Sequence, residues 1–327
     1  RQIRSPQSAR MAYEPTKSVR VTALIETRGF AHSATEREGA QMTFKPNLML
    51  RDGRQMPRLG MGTWRLGEGL HPRAQELAAL RTGIDAGIRL IDTAEMYGDG
   101  ATEELVGDAI RGVERENLFL VSKVCPQNAK RHDIERSLDA TLGRLATDYL
   151  DLYLLHWRGA IPLEETVECM EELVEGGKIL AWGVSNFDTD DMEELASVAG
   201  GEHCVVNQDL YHLGSRGVEF DLLPLMRRHQ IPLMAYCPLA QAGRLRGDLV
   251  GSDAVRQTAA AHGCTPMQVL LAFVLRHEDI IAIPRSASAQ HVLENFEARK
   301  VELTDEDLAR LDGEFPAPTR KVPLDIE

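Results

Sequence analysis

Eight times between residues 59 and 285 the chain repeats one beat: a short apolar run, a loop, then a stretch with apolar residues at helical spacing. The runs fall at 59–64, 89–94, 118–124, 150–156, 180–186, 205–208, 232–238 and 280–285. Helical patterns occupy the gaps, among them 74–86, 102–111, 131–145, 163–175, 190–199 and 266–275, with apolar residues at i, i+3, i+4 and i+7. Pro266 suits a first helical turn, where its missing N–H costs nothing. Short buried-type strands alternating with helices pair in parallel, with helices covering the sheet. Two closures satisfy that rule, a doubly wound open sheet and a closed barrel of eight. The length from Phe44 onward matches a barrel of ~250 residues or a little more. The dinucleotide fingerprint of the open sheet also fails, because Arg65 stands where Gly60-Met61-Gly62 would need its third glycine; the isolated Gly-x-Gly reads as a tight turn. The expected fold is therefore α/β, a (β/α)8 TIM barrel. It is preceded by a hairpin of residues 47–50 and 55–57 turning at Gly53.

Residues 1–41 differ from the rest. They carry seven basic and four acidic residues, a balance of +3 that leaves −16 for the remainder, and show neither strand nor helix periodicity. Their one apolar stretch, from Val21 to Ile25, is too short for a secretory signal and ends at Glu26. They read as a disordered or non-native extension, since Met42 opens directly onto structured sequence; residues 42–327 read as a single barrel domain. A net charge of −13 argues against a nucleic-acid partner. No apolar run approaches the ~18 residues of a membrane span. Five scattered cysteines without a Cys-x-x-Cys pair indicate neither disulfides nor a zinc site and fit a cytoplasmic setting. No repeated apolar surface pattern argues against a monomer.

Three successive runs end in polar groups: Asp92, Lys123 and His156. Tyr97 follows Asp92 in a loop enforced by Gly98-Asp99-Gly100. Singly, each has an ordinary explanation: a cap, a solvated strand end, rim packing. Together they form a proton donor. A phenol with pKa ~10 is a weak acid at neutral pH unless a cation stabilises its phenolate, and that cation needs a carboxylate to hold it. A histidine can then orient a carbonyl oxygen or relay a proton. A Schiff-base role for Lys123 in another barrel enzyme is the competing reading.

The arrangement resembles the aldo-keto reductase superfamily from about Phe44 to about Asp312. Gly87-Ile-Arg-Leu-Ile-Asp92-Thr-Ala, followed by Tyr97 and by Glu103-Glu104-Leu-Val-Gly107, is similar to its first signature, with Ile88 in place of the usual aromatic residue. Val121-Ser-Lys123 and Leu154-Leu-His156-Trp157 complete its tetrad. The resemblance implies that Tyr97 is the general acid, that Lys123 lowers its pKa, that Asp92 pairs with Lys123 and that His156 orients the carbonyl. It also implies a nicotinamide site of Ser185, Asn186 and Gln208, a stacking ring from Tyr236 or else Tyr211, and Leu239 on a pyrophosphate loop. Arg285, Ser286, Glu294 and Asn295 match an adenosine 2′-phosphate site in which His291 replaces an arginine. NADPH is the implied cofactor, with NADH weaker but possible. Ser288 also reads as a plain helix N-cap, and the two roles are compatible. Trp64 and Trp157 would wall the carbonyl pocket. Short loops suit small aldehydes, dicarbonyls such as methylglyoxal, or short sugars. A different class of reading, a cofactor-sensing auxiliary subunit with slow turnover, also occurs in that superfamily. The chain contains no His-Glu-x-x-His or similar metal-ligand cluster.

Overall fold

The computed structural model describes residues 44–241 and 244–326. The extension expected over residues 1–41 lies outside the described residues. The chain from Met42 to Glu327 forms one compact unit. It opens with an antiparallel hairpin, β1 (Asn47–Met49) and β2 (Gln55–Pro57), turning through Gly53 at φ 87°. Eight parallel strands follow: β3 (Gly60–Gly62), β4 (Leu90–Asp92), β5 (Phe119–Val124), β6 (Leu152–Leu155), β7 (Trp182–Ser185), β8 (Asn207–Leu210), β9 (Leu233–Tyr236) and β10 (Ile280–Ala282). They pair in chain order.

Two bridges, Leu59 with Ala282 and Gly62 with Arg285, join the first strand to the last and close the barrel. The backbone bonds of this seam run from Ala282 N to Arg58 O at 2.8 Å and from Gly62 N to Pro284 O at 3.1 Å. Pro284 has no N–H to donate, which keeps the seam sparse. Gly60-Met61-Gly62 is strand, as the apolar run at 59–64 implies, and not a tight turn. Its glycines serve close approach: a Cβ at Gly62 would lie 2.6 Å from the Ile283 carbonyl oxygen, and one at Gly60 2.5 Å from Leu90 Cγ.

Most strands are shorter than their apolar runs by a residue or more at one or both ends. Helices cover the outside, and those at 163–175 and 266–275 coincide with their apolar patterns. They are α1 (Arg73–Asp85), α2 (Ala101–Ile110), α3 (Asp133–Leu145), α4 (Leu163–Glu175), α5 (Thr189–Ser197), α6 (Leu222–Arg228), α7 (Arg244–Gly251), α8 (Asp253–His262), α9 (Pro266–Leu275), α10 (Ala289–Glu297) and α11 (Asp305–Glu314). Their starts follow capping chemistry: Asp188, Thr265 and Thr304 each form a reciprocal capping box, and Pro266 sits at the first turn of α9. The largest mismatch is at β8, where the apolar residues Val205 and Val206 only lead in and the ladder runs on to Leu210. Among the described residues no single helix is long and apolar enough to cross a membrane.

Side chains alternate across every strand, so the barrel has two shells. Ile91, Leu120, Tyr153 and Val184 pack outward under the helices. Leu90, Phe119, Val121, Leu152, Leu154, Met234 and Ile281 fill the interior, and Leu50 and Met56 of the hairpin join that same cluster. The hairpin therefore seals one end of the barrel. The other end, at the C-terminal tips of the strands, is where the inward positions change character.

Candidate active site

Two residues past an apolar inward position, strand after strand carries a polar group in or just beyond its ladder. Leu90 is followed by Asp92, Val121 by Lys123, Leu154 by His156, Val206 by Gln208, Met234 by Tyr236 and Ile283 by Arg285. The period of two keeps each on the inner face, and the barrel brings them to one rim.

Lys123 is completely buried. Its ammonium donates to Asp92 Oδ2 at 2.7 Å, to the Thr93 carbonyl at 2.8 Å and to the Tyr97 hydroxyl at 3.3 Å. All three donor positions of the ammonium are thus used. Asp92 is held in turn: Gln208 Nε2 donates to its Oδ1 at 2.8 Å, and Thr63 Oγ1 donates to its backbone carbonyl at 2.8 Å. Burial pulls Lys123 below its ordinary pKa, and Asp92 works against that shift. Burial likewise raises Asp92, while Lys123 and Gln208 oppose the rise. Burial and then the Asp92 charge push the Tyr97 phenol well above its ordinary value, so it is protonated at neutral pH.

Tyr97 begins a tight turn, Tyr97–Gly100, in which Gly98, Asp99 and Gly100 all have positive φ, at 55°, 54° and 93°. The turn swings the ring over the rim, edge-on to His156 with centroids 5.8 Å apart. His156 is 8% exposed, and its Nδ1 is buried without a partner. Burial and the Lys123 charge lower its pKa to about 2, so the imidazole is neutral. A neutral ring can donate a hydrogen bond to an oxygen without bringing charge. Trp157, 37% exposed, tilts against His156 with ring centroids 4.9 Å apart. Trp64 is partly buried and Met96 is 47% exposed on the neighbouring segments.

A second polar chain adjoins the first. Asn186, in left-handed conformation at φ 57°, donates to the His156 carbonyl at 3.0 Å and to Ser185 Oγ at 3.2 Å. Ser185 donates to the Gln208 carbonyl at 2.8 Å, and the Tyr236 hydroxyl donates to Asn186 Oδ1 at 2.7 Å. Tyr236 therefore stands at this site with its ring anchored. Tyr211, the other ring considered, does not. It faces outward, fully buried, bonded to Glu219 and Arg276 and packed on Phe273, because it falls on the opposite parity of β8.

Farther along the rim, Leu239 is buried and its carbonyl accepts from Arg246 Nε at 2.9 Å. Arg285 donates to the Arg65 carbonyl at 3.4 Å, while its Nε is buried with no partner. Ser286 accepts from the Ser288 amide at 3.1 Å, and Ser288 Oγ caps α10 at the His291 amide. His291 is exposed on the first turn of α10; Glu294 accepts from Gln290 at 2.8 Å, and Asn295 is partly buried one position on. Thr63, Met96 and Arg246 were not singled out by the sequence. Arg246 carries no local signal, because it reaches Leu239 and Ala240 only through the fold of the loop.

Residues 58–314 match the sequence profile of the aldo/keto reductase family. A methylglyoxal reductase of Escherichia coli (strain K12) is 52% identical over 271 residues, covering 83% of this chain and 95% of that protein. A glyoxal reductase of Bacillus subtilis (strain 168) is 34% identical over 273 residues, covering 83% and 93%. An aldo/keto reductase from Klebsiella pneumoniae, solved in complex with NADP and acetate, superposes with a TM-score of 0.84 at 53% identity, covering 86% of this chain and all of that one. With its barrel, its rim of polar residues and these relatives, the chain belongs to the aldo/keto reductase family.

Proposed function

We propose that this protein is an NADPH-dependent reductase of small aldehydes and dicarbonyls such as methylglyoxal, with Tyr97 as the proton donor. One observation carries the reading: a fully buried ammonium, that of Lys123, reaches the Asp92 carboxylate and the Tyr97 hydroxyl at once. When bound, NADPH supplies the hydride that the carbonyl carbon takes up. Tyr97 gives its proton to the carbonyl oxygen. Lys123 favours the phenolate that remains, since a nearby cation stabilises an anion. Asp92 and Gln208 hold the lysine in place, and neutral His156 orients the oxygen without competing for the proton.

The residues present fit the cofactor. Ser185, Asn186 and Gln208 offer carboxamide partners beside the anchored ring of Tyr236, which supplies a stacking face. Leu239 stands on the buried loop that follows. The partnerless Nε of Arg285, with Ser286, Glu294 and Asn295 near the start of α10, suits a phosphate, because a helix N-terminus and a guanidinium both favour anions. His291 gives this end no bidentate guanidinium clamp, so NADH is expected to bind as well, more weakly. The relatives named for methylglyoxal and glyoxal reduction, and the structure bound to NADP, support the same assignment. Trp64 and Trp157 are proposed as walls of the carbonyl site. The segment from Trp157 to α4 is short, which favours small substrates over a steroid ketone.

The test is NADPH oxidation with methylglyoxal by the native protein and by Tyr97→Phe. Loss of the acid should lower kcat/KM by about 10²–10⁴-fold with NADPH binding unchanged. Tight NADPH binding without turnover in the native protein would move the assignment to a cofactor sensor. Failure to bind NADPH would overturn it.

A further inference from the structure

We propose that Glu103 is a positioning residue for the proton donor: through Arg144 it grips the turn that carries Tyr97, and through Ser122 it ties that turn to the strand that carries Lys123. Three successive left-handed residues follow Tyr97, one of them the non-glycine Asp99. Such a run is unfavourable and persists only where its surroundings hold it. The holder is Arg144 of α3. Its side chain lies directly on Gly100, where a Cβ would come within 2.7 Å of Arg144 Cδ. Arg144 Nε donates to Glu103 Oε2 at 2.6 Å, and Nη2 donates to Thr141 Oγ1 at 3.3 Å.

Glu103 is fully buried in the first turn of α2. Its other oxygen accepts from Ser122 Oγ at 2.6 Å. Ser122 immediately precedes Lys123, and alternation along β5 turns Ser122 outward as Lys123 turns inward. One carboxylate thus joins α2, α3 and β5 behind the site. Little slack remains between the two helices, since a Cβ at Gly107 would meet the Arg144 carbonyl oxygen at 2.5 Å. Burying a charge in this way is costly and is weak evidence for stability alone, so a geometric role accounts for it better.

Glu103 also acts through its charge. Lys123 faces Asp92 from β4, Tyr97 from the turn and His156 from the end of β6; Asp92 first, and to a lesser degree the charge of Glu103 behind β5, favour its ammonium. Glu103 in turn faces Arg144 and lies near Tyr153 and Cys125, both held protonated by burial.

The kinetic part of the inference rests on the reductase reading. Glu103→Gln keeps the volume and an acceptor for Ser122 but turns an amide NH2 towards the guanidinium. It should lower kcat for methylglyoxal by about 10-fold while KM and NADPH affinity stay within about 2-fold, because misplacing a catalytic group costs rate rather than binding. The alkaline limb of kcat should move to lower pH by roughly half a unit, as Lys123 loses one favourable charge. Arg144→Met releases Gly100 but leaves the carboxylate, so kcat should fall comparably without an acid shift of that limb; it also carries the test if Glu103→Gln fails to fold. Backbone amide exchange over residues 97–103 should rise in both variants relative to residues 118–124. Native kcat and native exchange in either folded variant, or a change confined to KM, would overturn the proposal. If the native protein does not turn over carbonyls, the reductase reading fails, and the exchange measurement alone still decides whether Glu103 holds the turn.

Discussion

The interior of the barrel is two environments built on the same strands. Leu90, Val121 and Leu154 lie in an apolar layer sealed by Leu50 and Met56 of the hairpin. Asp92, Lys123 and His156 are only two residues farther on, on the same face. The apolar layer gains stability simply by leaving water. The polar layer is just as buried, yet each charge in it costs several kcal/mol unless paired, so its geometry is dictated by partners: Lys123 to Asp92, Asp92 to Gln208. Damage to the first layer should therefore change stability alone. Damage to the second should change stability and chemistry together.

Breaking the polar layer gives the largest expected effect. Asp92→Ala leaves Lys123 buried without its counter-charge and should cost about 3–5 kcal/mol in denaturant unfolding, with reductase activity abolished. The double variant Asp92→Leu with Lys123→Met should recover much of the stability and none of the activity; equal instability in the double variant would mean that the ion pair is not the source of the cost. Leu154→Ala, in the apolar layer, should cost about 2–5 kcal/mol while kcat/KM of the folded enzyme stays near native, and a large kinetic defect would blur the division between layers.

Acid sharpens the contrast. His156 has a folded pKa of about 2 against an ordinary 6.5, and buried His212 one of about 4. Below 6.5 the unfolded chain binds protons that the folded chain refuses, so stability is complete above that pH and is lost as pH falls through it. His156→Gln should make the loss between pH 6 and pH 4 shallower by up to about 1.4 kcal/mol per pH unit, read from unfolding midpoints at several pH values. An unchanged slope would show that the ring is not buried neutral. The smallest effect belongs to the proposed phosphate end, where His291 is exposed: His291→Arg should raise the NADPH/NADH preference only a few-fold, about 1 kcal/mol or less. A far larger gain would mean that His291 lies closer to the phosphate than its exposure indicates.

The eightfold alternation was plain in the sequence because period two and period 3.6 are local properties of side-chain placement. The tetrad candidates were legible for the same reason: each ends or follows a strand, and barrel strand ends converge. Exact strand limits were not. The run at 232–238 keeps only Leu233–Tyr236 as ladder, since Pro232 and Pro238 have no N–H, and the run at 205–208 slides on to Leu210. The run at 59–64 implies a strand, but the reason for Gly60 and Gly62 within it is not legible, because close approach between strands leaves no local mark. The resemblance favours Tyr236 over Tyr211 as the stacking ring, and the structure puts the two in opposite shells.

By itself, then, the sequence determined the class of fold and which strand ends carry polar groups, both matters of spacing along the chain, while its motifs carried the family resemblance. Only the tertiary structure decided that Gln208 bonds Asp92 across 116 positions, that Asn186 and Tyr236 bond each other, and that Glu103 meets Ser122 and Arg144 behind Lys123. Those contacts depend on barrel closure and on helix-to-strand packing, and no local periodicity encodes a distance between residues that are far apart in the chain.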